Sequence, residues 1–418
     1  MEKTIQDIKK RIKKGEAQIF TAEEIKNMLR EGETPSIDDV DIVTTATCGI
    51  MSGTAAIMHF KATKPGKFKK AKKVYLNGIP AHPGPCPNEN LGLIDLILHG
   101  TSKSIENPDY GGGFLLKDIT SGKEIEVTIE TDSKTIKTTI TLDKIKTAKI
   151  IGTRMAYKNY TAFVNPGKQP IASIFNPVPM EGPFKGLSFS GCGELNPIQN
   201  DPQMRTIKAS SPILLNGALG MIIGEGTRST PEKPNLMIAA DIHEMDPYYL
   251  GGFRTAAGPE IFNTIAIPIP ILNNEILNKV FIMNDQIPLP VADIRDRSII
   301  DQTNYETVWM GDERPSYHPE RCADCEKCLV AERCPTFAFK NSLDLEKCFG
   351  CGMCANSCPN NVFEMETGKV TLHFNSESIH VPVVCRQSDI KRAKRLAEEL
   401  KSRIEDEKFP IIINFGVI

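Results

Sequence analysis

Eight of the twelve cysteines in this 418-residue chain fall between positions 322 and 358. They form two runs, Cys322-x2-Cys325-x2-Cys328-x5-Cys334-Pro and Cys348-x2-Cys351-x2-Cys354-x3-Cys358-Pro. Two-residue spacing lets three thiolates on one tight loop reach three corners of a cubane. The fourth cysteine of each run lies too far along to close its own cluster and ligates the other. The spacing therefore predicts two [4Fe–4S] clusters, one held by Cys322, Cys325, Cys328 and Cys358, the other by Cys348, Cys351, Cys354 and Cys334. Zinc knuckles are the competing reading, but they use two separated pairs of thiolates and not triplets followed by Cys-Pro. Two clusters hold two electrons, enough for one two-electron reduction.

The remaining cysteines stand alone. Cys48 (TTATCGIMSGTAA), Cys86 (HPGPCPNEN) and Cys192 (SFSGCGELNP) are each flanked by Gly or Pro, where backbone approaches a ligand closely. Core cysteines usually sit inside apolar periodic segments, so these three are expected to share a site. It takes one of two forms. Either three thiols hold a third [4Fe–4S] cluster with one open iron, or a single thiol, Cys48 first, is a persulfide-forming nucleophile. Cys385 follows a strand and precedes a helix start, and reads equally as an activated or a buried structural thiol. His82 and His243 lie in turn-rich segments as candidate proton donors. Arg154, Arg205, Arg228 and Arg254 lie beside Gly- or Pro-rich segments as candidate clamps for an anion, with Arg205 and Arg254 foremost. The run Tyr110–Phe114 (YGGGF) does not complete a dinucleotide fingerprint, and no P-loop occurs.

These residues need a scaffold. Two short helices open the chain, the second started by a capping box of Thr21 and Glu24. Asp41–Thr45 reads as a buried strand, and EIEVTIETDSKTIKTTITL alternates as a hairpin. From there to about residue 300, short β-rich segments are broken by Pro and Gly. A linker falls at Trp309–Pro319. After the cysteines, KVTLHF and SIHVPVV read as a hairpin, and Asp389 caps a helix through about Arg403. The expected fold class is α+β: a β-rich catalytic domain over 1–310, a two-cluster ferredoxin-like module over 311–370, and a hairpin–helix extension over 371–418. Net charge is −2, which implies no attraction to nucleic acid or anionic lipid. No run of about 18 apolar residues argues for a membrane span, and the charged N-terminal stretch has no secretory character. A cytoplasmic location is expected, and self-association is left open.

Five segments carry a family resemblance: VTTATCGIMSGTA (43–55), DYGGGFLLKDITSGKE (109–124), AYKNYTAFVN (156–165), GELNPIQNDP (193–202) and IPIPILNNEI (267–276). Together they resemble the archaeal homocysteine-biosynthesis family, the aspartate-semialdehyde sulfurtransferases, over roughly residues 1–300. With cysteine runs fused behind, the whole resembles a methanogen-restricted, methanogenesis-marker branch of it. The resemblance implies a reaction that turns an aldehyde into a thiol, using sulfide or a persulfide donor and two electrons from a ferredoxin-like partner. The family's cysteines lie in a G-x-M-C-S-S-G loop and a T-D-C segment, and those positions look like Ser52 and Ser133 here. That departure points away from aspartate semialdehyde and toward another small anionic aldehyde, with sulfoacetaldehyde and its thiol, coenzyme M, fitting best. Homocysteine formation is one alternative. A non-catalytic electron-transfer or assembly factor is the other.

Overall fold

Strand Ile42–Ile50 is the axis of the body, and it runs further than the sequence suggests, buried from Ile42 through Gly49. Its β-branched residues suit a strand covered on both faces. In the computed structural model, which describes residues 2–84, 89–158 and 160–412, this strand pairs antiparallel with Gly258–Pro270. Nine register pairs run from Ile42–Pro270 to Ile50–Phe262. On its other side lies the short parallel strand Ile19–Thr21.

Among the described residues these strands belong to a fourteen-stranded sheet, and a second sheet has six strands. The architecture is mixed α/β with a large sheet-rich body. The expected hairpin appears as Ile125–Glu130 paired with Thr135–Ile140, and the Thr21–Glu24 capping box starts helix Ala22–Arg30.

The chain beyond residue 370 enters the body. Strand Glu377–Arg386 pairs antiparallel with Lys369–Phe374 and parallel with Leu187–Phe189, joining the six-stranded sheet. Asp389 accepts from Arg392 N and starts helix Ile390–Glu405, which lies across Ile42–Ile50 and Gly258–Pro270. Ala393, Leu396, Ala397, Leu400 and Ile404 are its buried stripe, at the spacing of one helical face. Each fully buried leucine there contributes about 1.5–3 kcal/mol. The cysteine-rich segment is thus a loop-out between two parts that pack together. No helix among the described residues is long and apolar enough to cross a membrane.

Candidate functional site: two buried thiols and a cysteine-lined cavity

Cys48 lies on the central strand opposite Thr264. Cys192 reaches it from the turn after Leu187–Phe189. Gly191 in that turn has φ +105°, and a Cβ there would stand 2.3 Å from Tyr305 Oη, so only glycine fits. The turn is fixed from several sides. Gly191 N donates to Ser388 Oγ at 2.7 Å, Trp309 Nε1 donates to Gly191 O at 3.0 Å, and Tyr305 Oη donates to Ser190 O at 2.8 Å. As a result Cys192 Sγ lies 3.4 Å from Cys48 N and 3.5 Å from Cys48 O. Asp389 N donates to the same Cys48 carbonyl.

Both thiols are wholly enclosed. Burial pushes Cys48 well above the ordinary thiol value, the Asp389 carboxylate adds to the rise, and Arg392 opposes it. Burial pushes Cys192 up to about 11, against hydrogen bonds that lower it. At neutral pH both stay protonated, and a neutral thiol is a weak nucleophile. Enclosure keeps both thiols from water, and either would act as a nucleophile only after losing its proton. Cys86, the third member of the expected set, lies outside the described residues.

The other expected site residues are placed elsewhere. His82 is exposed and meets His99 edge-on, ring centres 5.7 Å apart. His243 bridges Asp241 Oδ1 at 2.8 Å and Ile145 O at 2.7 Å. Its burial lowers its pKa, but these bonds outweigh that and the net shift is upward. Arg205 forms an exposed ion pair with Glu275 at 2.7 Å. Arg254 is paired with Asp109 at 3.0 Å, lies over the Phe337 ring, and donates its backbone N–H to Pro335 O. It therefore fastens the body to the residue that follows Cys334.

Arg154 approaches the loop that follows Cys48, and Arg228 is exposed near Tyr157. Gly53 follows Cys48 by five positions, and Thr153 Oγ1 donates to its carbonyl at 3.0 Å. The adjacent Arg154 has a buried Nε with no partner and lies 4.7 Å from the Tyr157 ring centre. Tyr157 packs 5.3 Å from Tyr160, whose surroundings include Thr47 and Cys192. Neither Arg154 nor Arg228 forms an ion pair among the described residues. Ser52 is exposed, while neighbouring Glu260 is buried with Oε2 unpartnered. Burial raises the Glu260 carboxyl, with Ser52 and the Ile261 backbone opposing. Ser133 is exposed in the hairpin turn after Glu130. Glu260 carried no sequence signal, since a single acid in a strand resembles any other.

The cysteine runs differ from one another. Cys334 joins Cys348, Cys351 and Cys354 around a small cavity of about 20 Å³. Cys348 and Cys351 are buried, whereas Cys322, Cys325 and Cys328 are exposed. Cys358 packs with Cys354 against Val330, Val362 and Phe363. Asn360, two residues after Cys358, brings its Nδ2 within 3.8 Å of Cys325 Sγ. Among the described residues no three ligand-type side chains converge on a single ion. Thiols spaced around a cavity suit a polynuclear core better than one ion, and the all-thiol donor set with Cys334 crossing over fits a [4Fe–4S] cluster.

The second run is built into the body. Phe349 packs on Phe253 and Phe262, with ring centres 5.1 and 5.0 Å away. Arg392 Nη1 donates to Cys348 O at 2.7 Å and Nη2 to Glu346 O at 2.6 Å. Gly350 has φ +68°, and a Cβ there would meet Glu313 O at 2.4 Å and Arg314 Nη1 at 2.5 Å. Cys385, fully buried with its pKa pushed up to about 12, neighbours Cys351. Its activated reading does not survive this burial.

A family model described as "Homocysteine biosynthesis enzyme, sulfur-incorporation" matches residues 17–411. The chain belongs to that family, and the match runs through the cysteine-rich segment into the C-terminal helix. An uncharacterized protein of Methanothermobacter thermautotrophicus is 55% identical over 411 residues, covering 98% of this chain and 94% of the relative. The L-aspartate semialdehyde sulfurtransferase of Methanocaldococcus jannaschii is 35% identical over 333 residues, 74% of this chain and 63% of the relative. A shorter likeness, 33% over 58 residues, is to pyruvate synthase subunit PorD of Methanothermobacter marburgensis, covering 13% of this chain and 69% of the relative. No solved structure matches.

Proposed function

We propose that this chain is an enzyme that reductively transfers sulfur to a small anionic aldehyde, with sulfoacetaldehyde as substrate and coenzyme M as product. One observation carries the reading: Cys48 and Cys192 meet in the same buried layer that receives Phe349 and the second cysteine run. In the reaction a C–S bond forms at the carbonyl carbon and the C–O bond breaks. The oxygen leaves as water, and two electrons and two protons are consumed.

Cys322, Cys325, Cys328 and Cys358 would hold one [4Fe–4S] cluster, and Cys334, Cys348, Cys351 and Cys354 the other. When bound, such clusters supply electrons singly, here originating from a ferredoxin-like donor. Covalent linkage of the module to the catalytic body raises its effective concentration there. Cys48 and Cys192 enclose sulfide and keep it from water; sulfur arriving from a persulfide donor is first released as sulfide by two further electrons, the donor leaving as its thiol. Arg154 and Arg228 receive the anionic end of the aldehyde, since Arg205 and Arg254 already have carboxylate partners. Glu260, kept protonated longer by burial, faces the Ser52 loop and gives a proton to the departing oxygen. Ser52 and Ser133 in place of the family's cysteines favour a substrate other than aspartate semialdehyde. The methanogenesis-marker branch that the sequence resembles suits a methanogen-restricted thiol.

The test uses anaerobically loaded full-length protein, sulfide and a reduced one-electron donor, with thiol products identified by mass. Coenzyme M from sulfoacetaldehyde is expected. Preferential homocysteine from aspartate semialdehyde would return the chain to its relatives' reaction. Thiol from neither aldehyde, with both clusters loaded, would favour the electron-delivery or assembly role.

A further inference from the structure

A buried guanidinium without a countercharge is expensive, so buried arginines normally face carboxylates. Around the second cysteine run that balance is missing. Arg314, Arg386 and Arg392 approach it, and Asp389 is the acid buried among them. Its carboxylate accepts from Arg314 Nη2 at 2.8 Å through both oxygens and also from Arg392 Nη1.

Arg386 is 1% exposed. Its guanidinium donates to the carbonyls of Asp312, Met310 and Glu366 and lies 4.8 Å from the Trp309 ring centre, while its buried Nε has no acceptor. No carboxylate pairs with it among the described residues. The nearest acids are Asp312, which is exposed, and Glu313, which is paired with Lys394. All three arginines touch the run itself. Arg386 N donates to Cys351 O at 3.0 Å, Arg392 Nη1 donates to Cys348 O at 2.7 Å, and Arg314 Nη1 abuts Gly350. At the first run the charges are exposed pairs, such as Lys327–Glu332 and Arg321–Glu364, screened by water.

We propose that Arg314, Arg386 and Arg392 are positioning residues whose surplus positive charge makes the second-run site the preferred resting place of an electron. The inference rests on the reading of both runs as [4Fe–4S] sites, and adds a direction to it. Four thiolates and a cubane core carry net negative charge, and reduction adds one more. Burial alone opposes that addition, and the unmatched guanidiniums offset it. An electron from an external one-electron protein donor enters at the exposed first run and moves inward to the side facing Cys48 and Cys192. No bond is made or broken in that transfer.

The experiment is a redox titration of the anaerobic full-length protein, followed by electron paramagnetic resonance. Wild type is compared with Arg386→Gln, Arg386→Lys and Arg314→Gln, and Cys358→Ala identifies the first-run signal. Arg386→Gln should disfavour reduction of the second-run cluster at least tenfold, about 59 mV for a one-electron couple. The first-run midpoint should stay in place, and Arg386→Lys should restore most of the loss. Arg314→Gln, at a side chain 11% exposed and therefore more tolerant, should shift the same signal in the same direction if the Arg386 variant fails to fold. Unchanged midpoints in loaded variants, or a shift confined to the first run, would overturn the inference. Wild-type protein that takes up no iron would instead overturn the cluster reading beneath it.

Discussion

The two cysteine runs share a local pattern and meet opposite surroundings. In the first, Cys322, Cys325 and Cys328 face solvent. In the second, Cys348 and Cys351 are 7% and 8% exposed, and the intervening Phe349 is seated in the body's aromatic core. The shared C-x2-C-x2-C pattern therefore carries no information about which run is enclosed. The first run is open to solvent, and the second is packed in the same buried layer as Cys48 and Cys192. Wherever one of a pair of like motifs is packed into a core, substitutions there act on fold and chemistry together.

Disabling one run at a time separates their contributions. Cys351→Ser should reduce thiol formation to background with any electron source. Cys325→Ser should lose turnover with a protein donor but keep part of it with a strong small-molecule reductant. Equal losses under both reductants would mean that the runs are not arranged as outer and inner sites.

A second contrast concerns stability. Phe349→Ala removes a fully buried ring between Phe253 and Phe262 and should destabilise the body by about 3–5 kcal/mol in urea unfolding. Phe337, in the loop after Cys334, is 40% exposed. Phe337→Ala should cost less, about 1–2 kcal/mol, because a large part of that residue is already open to solvent. Similar midpoints for the two variants would show that the second run is only loosely held.

The smallest expected effect is a pH dependence in the body. The Cys192 thiol is raised by burial from an ordinary value near 9 to about 11. Above pH 9 the unfolded chain has lost this proton while the folded chain keeps it. Stability should therefore fall as pH rises from about 9 to about 11, and Cys192→Ala should flatten that slope. Chemical denaturation across that window tests it, and an unchanged slope would place the titration elsewhere.

Local signals were readable from the amino-acid order. The two cysteine runs follow from spacing, because a ligand set of this kind is made by a few adjacent residues. Helix Ala22–Arg30 announced itself through Thr21 and Glu24, and helix Ile390–Glu405 through Asp389. The alternation at 125–140 named its hairpin correctly, since period two directly encodes a two-faced strand. Even so, Asp389 was legible only as a cap. Its buried pairing with Arg314 and its backbone bond to Cys48 depend on chain segments far away in sequence.

Amino-acid order alone marks the two cysteine runs, whose spacing suits iron–sulfur ligation, and the family to which the chain belongs. Tertiary structure alone decided their relations. It set Cys192 against Cys48 across 144 residues, tied Arg205 and Arg254 to carboxylates, and, among the described residues, left Arg154 and Arg386 without them. It also carried strand Glu377–Arg386 and helix Ile390–Glu405 back into the body, so that one cysteine run is enclosed and the other exposed. The physical reason is range. Spacing, capping and alternation act over a few residues, whereas burial and charge balance are summed over every segment that the fold brings into contact.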